Sequence, residues 1–226
     1  MLTIQQAAYE GKLYIVQQMV EKENSLVNSF DQDGRNALHW AASGGHADIV
    51  NYLIAMGAIV NSQDKDAQWT PLMIAVSAGH LEVVKILLQN QADPALENDT
   101  KQTALHYAAS KNRIDIARLL IEHQAPVNQL NRYKQTPLHQ AASSGHIKII
   151  ELLLVEGKAR VNPKDIQGNT PLHHACEEEH GDCALRLIEN NGNLDALNTD
   201  GKSPLDLCPT SQVKSFILNV VQEKNK

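Results

Sequence analysis

The chain has 226 residues, 42% hydrophobic and 4% aromatic, with 20 Lys plus Arg against 26 Asp plus Glu and a net charge of -6. That balance excludes intrinsic disorder, and the acidic excess removes the clustered cations on which nucleic-acid binding depends, so no nucleic-acid partner is expected. The longest run without a charged side chain, Ile49 to Gln63, is interrupted by Asn51, Gly57, Asn61 and Ser62 and falls short of the ~20 apolar residues of a membrane span, so no membrane partner is expected either.

The N-terminal residues, MLTIQQAAYEGK, carry neither a basic patch nor an apolar run, and no secretory or mitochondrial signal is expected there. The three cysteines, Cys176, Cys183 and Cys208, are few and odd in number, as in a reducing compartment. The expected location is cytoplasmic and nuclear.

Internal repetition organises the rest. The segments Asn36-Ala-Leu-His39, Thr70-Pro-Leu-Met73, Thr103-Ala-Leu-His106, Thr136-Pro-Leu-His139, Thr170-Pro-Leu-His173 and Ser203-Pro-Leu-Asp206 place leucines at 38, 72, 105, 138, 172 and 205. The steps are 34, 33, 33, 34 and 33 residues, a period that by itself decides the architecture. One step back from Leu38 lies Ile4, and IQQAAYEGKLYIVQQMV aligns with LHWAASGGHADIVNYLI, so a degenerate first copy makes seven.

Within one copy, Thr136-Pro137 supplies a capping oxygen and a proline at the first helical position, where its missing N–H is harmless. Gly145-His146 then breaks the chain, and a second helix follows whose Ile149, Ile150, Leu152 and Leu153 form one apolar stripe. Gly57, Gly157 and Asn191 are expected as left-handed C-caps of second helices, with Gln91 and Gln124 in the same place less favourably. Turn residues such as Asp165-Ile-Gln-Gly168 and Asn198-Thr-Asp-Gly201 predict tight loops between copies. Two loops, Gln63 to Trp69 and Gly157 to Val161, are each one residue longer than the period requires.

The pattern D-x-x-G-x-T-P-L-H-x-A-A-x-x-G-H-x-x-I-V-x-x-L-L resembles the ankyrin-repeat family over nearly the whole chain. The expected fold is all-α: an ankyrin-repeat solenoid of seven helix-turn-helix repeats with short β-hairpin loops. It is read as a single domain over 1–226, with repeats near 1–34, 35–68, 69–101, 102–134, 135–168, 169–201 and 202–226. The first and last copies are capping repeats, the last ending in a helix around Phe216, Ile217, Val220 and Val221.

The repeat also accounts for residues that could suggest chemistry. His39, His106, His139 and His173 recur at one position, which in ankyrin repeats ties turn to helix, so none is assigned a catalytic role. In the cluster His173, His174, Cys176, His180 and Cys183, only His174 is left unexplained by the repeat, so no metal site is assigned. No phosphate-cradling glycine motif is present, and no cofactor is expected. The chain is read as a non-enzyme.

Residues that the repeat does not dictate line the expected concave face, an extended surface that suits another protein. In order these are Asp31, Asp33, Arg35 and Trp40, then Asp64, Asp66 and Trp69. They continue with Tyr107 and Lys111, then Arg132, Tyr133 and Lys134, and finally the acidic Glu177, Glu178 and Glu179. Trp and Tyr beside Arg are the residue types that most often dominate binding energy at interfaces.

Several stretches go beyond the general repeat: DQDGRNALHWAASGGHADIV, DAQWTPLMIAVSAGHLEVVKILL, TALHYAASKNRIDIA and QGNTPLHHACEEE. They resemble the gankyrin family of proteasome assembly chaperones, in a fungal or other non-animal form. The resemblance implies a non-catalytic chaperone, monomeric when free. Its implied partner is the C-terminal domain of one ATPase subunit of the proteasome regulatory particle. It implies contact roles for Asp31, Asp33, Arg35, Trp40, Trp69 and Lys111, and reversing Arg35 or Lys111 is expected to weaken binding without lowering the melting temperature. Animal members carry an L-x-C-x-E motif linked to retinoblastoma-protein binding; here His174-Ala-Cys176-Glu-Glu178 has His in place of Leu, and that activity is not carried over. The alternative reading is a scaffold or inhibitor for an unrelated partner such as a kinase or transcription factor.

Overall fold

In the computed structural model, which describes residues 2–224, the 33-residue period becomes pairs of short helices; Met1, Asn225 and Lys226 of the expected 1–226 domain lie outside the described residues. The pairs are α1 (Ile4–Tyr9) with α2 (Leu13–Lys22), α3 (Ala37–Gly44) with α4 (Ala47–Ala55), and α5 (Pro71–Ala78) with α6 (Leu81–Gln89). They continue with α7 (Ala104–Ser110) and α8 (Ile114–Glu122), α9 (Pro137–Ser143) and α10 (Ile147–Val155), and α11 (Pro171–Glu177) and α12 (Gly181–Glu189). The last copy reduces its first helix to a 3-10 turn, Pro204–Asp206, before α13 (Ser211–Lys224). Two units are distinguished, Met1–Tyr107 with Glu122–Ala125, and Ala108–Ile121 with Pro126–Lys226.

The helices begin where capping chemistry places them. The Thr70 hydroxyl accepts from the Met73 N–H at 3.2 Å, and Pro71, Pro137 and Pro171 occupy first turns. Small residues on the first helices, among them Ala41, Ala42, Ala141 and Ala142, are fully buried and let neighbouring helices approach. Second helices contribute the bulk: Ile49, Val50 and Leu53 in the first unit, Ile149, Ile150 and Leu153 in the second, all without exposure. Each such side chain stabilises by roughly 1.5–3 kcal/mol on burial.

The histidines stitch one repeat to the next in two directions. In the TPLH-type boxes, the backbone N–H of Thr136 donates to His139 Nδ1 at 3.0 Å, which fixes that nitrogen as the acceptor. The proton therefore sits on Nε2, which donates to the Asn169 carbonyl at 3.2 Å in the following hairpin. His39 and His173 reach the Trp69 and Lys202 carbonyls in the same way. Burial pushes His39 and His139 down to about 4 and lowers His173 as well. The Gly-His histidines point backwards: His80 Nε2 bonds the Ser43 carbonyl and His180 Nε2 the Ser143 carbonyl. Gly145 is needed there twice over, because its φ is +72° and a Cβ would lie 2.8 Å from the His180 ring.

Left-handed C-caps occur at Gly57, Gln91, Gln124 and Asn191, but Gly157 is not one of them: the left-handed residue is Lys158. The cause is the extra loop residue. Ala58, Ala92 and Gly192 close their helices by donating to Leu53, Leu87 and Leu187, five residues back, whereas Ala159 donates to Leu153, six back. The added residue moves the left-handed position one place along and leaves α10 intact.

Candidate partner-binding site

The hairpins that carry the expected contact residues share one construction. Each starts on Asp31, Asp64, Asn98, Asn131, Asp165 or Asn198, whose side-chain oxygen accepts two backbone N–H groups of its own turn. Five use the residues two and four places on, while Asp64 uses Ala67 and Trp69, three and five places on. The loop insertion is thus absorbed inside the turn, and Gln68, at φ +58°, takes the left-handed place held by Gly34 in the preceding hairpin. Within each unit single backbone bonds join successive turns, Lys65 N–H to Asp33 O and Ile166 N–H to Tyr133 O among them. Among the described residues no strand forms; each loop is closed across its ends by a backbone bond such as Asp31 N–H to Arg35 O, and all but the longer Asp64 loop add a second, such as Gly34 N–H to Asp31 O.

The residue after Leu-His reaches back to its hairpin. Trp40 Nε1 donates to Asp31 Oδ2 at 2.7 Å, Asn98 Nδ2 donates to the Tyr107 hydroxyl at 2.7 Å, and His174 Nε2 lies 2.9 Å from Asp165 Oδ2. These bonds lock large rings across the face, so little side-chain freedom remains to be lost on binding.

In the first unit the site residues converge. Arg35 donates through Nε and Nη2 to Asp64 Oδ2, both at 3.0 Å, and its guanidinium lies 5.5 Å above the Trp40 ring. Asp64 is buried, so it acts on the surface through Arg35. Trp69 stacks obliquely on Tyr107, with ring centroids 4.4 Å apart. Arg35, His39, Trp40, Ser43, Trp69 and Ile74 line a cavity of about 310 Å³ between these groups. Asp33 and Asp66 are exposed at the hairpin tips. The result is a rigid aromatic platform rimmed by carboxylates, suited to a partner's basic and apolar side chains.

In the second unit Lys111, Arg132, Tyr133 and Lys134 are exposed, as are Glu177 and Glu178. Lys111 makes no ion pair among the described residues. Sequence reasoning passed over the His174–Asp165 pair, which stands edge-on to His139 at 5.6 Å between ring centroids. The signal was present: His174 follows Leu-His as Trp40 does, and Asp165 opens its hairpin as Asp31 does. Cys176 and Cys183 are buried, as the repeat implies; burial raises both thiols, Cys183 to about 11.

Comparison with known proteins agrees with the repeat fold. Models of ankyrin repeats match residues 4–98, 88–165 and 154–208. A "Probable 26S proteasome regulatory subunit p28" of Saccharomyces cerevisiae is 41% identical over 223 residues, 96% of this chain and 98% of that one. The chain belongs to the p28, or gankyrin, family of ankyrin-repeat proteins. The human "26S proteasome non-ATPase regulatory subunit 10" is 47% identical over 64 residues, 28% of each chain. Among solved structures, the human ASB11 ankyrin repeat domain superposes with a TM-score of 0.86 at 27% identity, covering 95% of this chain and 96% of that one. Membership of the p28 family indicates a proteasome-associated ankyrin-repeat protein.

Proposed function

We propose that this protein is a non-catalytic assembly chaperone of the proteasome regulatory particle, which holds the C-terminal domain of one ATPase subunit on its hairpin and first-helix surfaces. The observation that carries the proposal is the end-to-end match to the yeast p28 subunit, to which the locked platform of Arg35, Trp40, Trp69 and Tyr107 adds a means of binding. It acts by occupancy: a subunit whose C-terminal domain is held cannot dock onto the core particle, and no covalent chemistry is required. Acidic Asp33 and Asp66 and basic Lys111 would steer encounter and fix register more than they raise affinity. Such a protein works in the cytoplasm and nucleus.

The test is to add the protein to purified regulatory-particle assembly intermediates and follow docking onto core particles by native electrophoresis. Docking should fall as the protein is added and recover with Lys111→Glu. Docking that proceeds unchanged at saturating protein would overturn the chaperone reading.

A further inference from the structure

Three of the chain's nine aromatic side chains, Tyr9, Phe30 and Trp40, open onto one cleft of about 530 Å³ in the first unit. Thr3, Gln5, Gln6, Gln32 and Asp31 complete its lining, so it contains one carboxylate and no cationic side chain. Tyr9 and Phe30 are half exposed, at 50% and 51%, where a terminal repeat ordinarily presents polar residues to water. Two of the three rings are held in place. Tyr9 meets Trp40 edge-on at 5.7 Å, and the Trp40 indole N–H is bound to Asp31.

Asp31 decides what the cleft can take. Its Oδ1 accepts from the Asp33 and Arg35 N–H groups and its Oδ2 from Trp40, which leaves about one of a carboxylate's roughly four acceptor positions. It has no ion-pair partner among the described residues. The nearby Arg35 is neutralised by Asp64 and lines the adjoining cavity instead. A negative charge with little hydrogen-bonding capacity, in a cleft lined by three aromatic side chains, favours a cation that brings no donors. An unmodified lysine head would bring three N–H donors and a tight hydration shell, and arginine five donors. Methylation keeps the charge, removes the donors and adds apolar surface that the rings can cover.

We propose that this cleft binds the methylated ammonium head of a trimethyllysine side chain presented by another protein. This does not rest on the proteasome reading, because the recognising chemistry is the same whichever protein carries the lysine.

The test follows the indole N–H resonances of Trp40 and Trp69 in the full chain during titration with the N-acetyl amide of trimethyllysine. Parallel titrations use the unmethylated lysine amide and an uncharged isostere with a tert-butyl group in place of trimethylammonium. A saturable shift at Trp40 but not Trp69 is expected, about tenfold weaker with either comparison compound. Asp31→Asn should weaken binding similarly: its Oδ1 can still accept the two backbone N–H groups of the turn, as Asn98, Asn131 and Asn198 do, while the charge and the acceptor for the Trp40 N–H are both lost. Phe30→Ser, at a half-exposed position, should do likewise. The proposal is overturned by the absence of a saturable Trp40 shift, by equal binding of the isostere or of unmodified lysine, or by undiminished binding in Asp31→Asn.

Discussion

Acidification should strip stability from the repeats through two buried imidazoles. His39 and His139 are each 1% exposed and held at about 4 by burial, against about 6.5 in an unfolded chain. Between those values the unfolded state binds more protons than the folded one, so stability rises with pH. The contribution is complete above pH 6.5 and is lost as pH falls towards 4. Moving from about pH 7.5 to about pH 5 costs about 2 kcal/mol for each histidine. The structural reason is specific: His139 Nδ1 accepts the Thr136 N–H, and a proton there would expel that bond from the interior. His139→Gln isolates the effect. At pH 7.5 the variant should be roughly 1–2 kcal/mol less stable, having lost the bond to the Asn169 carbonyl. At pH 5 the gap should close, because the variant has no proton to exclude. Urea denaturation followed by circular dichroism at several pH values measures both chains. A gap that stays constant from pH 7.5 to 5 would refute the argument.

Other substitutions test individual contacts. Gly145→Ala should cost about 1–3 kcal/mol, since it combines a left-handed backbone with a clash against His180, whereas Gly57→Ala, with φ +89° and no neighbour within 4 Å, should cost about 1 kcal/mol; thermal melts of both compare them. Leu153→Ala, at a fully buried position, should lose about 2–5 kcal/mol in urea denaturation. Reversing Lys111 should leave the melting temperature unchanged and slow association with the ATPase domain in stopped-flow mixing, most clearly at low salt. Arg35→Glu, by contrast, should lower the melting temperature, because it strips buried Asp64 of its partly exposed partner and sets a second carboxylate beside it. The sequence reading expected Arg35 to be reversible without loss of stability. Its bonds to buried Asp64 correct that expectation and leave Lys111 as the cleaner probe.

The parts of the molecule that repeat were legible before any coordinates. Period, helix starts at Thr-Pro, the histidine ties and the buried cysteines all follow from comparing one copy with the next. Departures from the period were visible as lengths but not as geometry: that Gln68 and Lys158 take the left-handed places depends on which hydrogen bonds each loop can still close. The candidate site was read as a set of positions. Its internal pairings escaped because Trp40 with Asp31, Arg35 with Asp64, and His174 with Asp165 join residues 9, 29 and 9 apart. The helical period does not relate those separations, although the separation of 9 recurs at equivalent positions of three repeats. Tyr9 and Phe30 are not singled out by the repeat, and their meeting with Trp40 at one cleft emerges only when the first copy is packed on the second.

The central claim is that this chain grips one proteasomal ATPase subunit by charge and aromatic contact. It is tested most directly by calorimetric titration with the isolated C-terminal domain of each regulatory-particle ATPase subunit from the same organism, at low and at physiological salt. The account predicts saturable binding to one domain, weakened by salt and by Lys111→Glu. Absence of binding to every domain at both salt concentrations would contradict it.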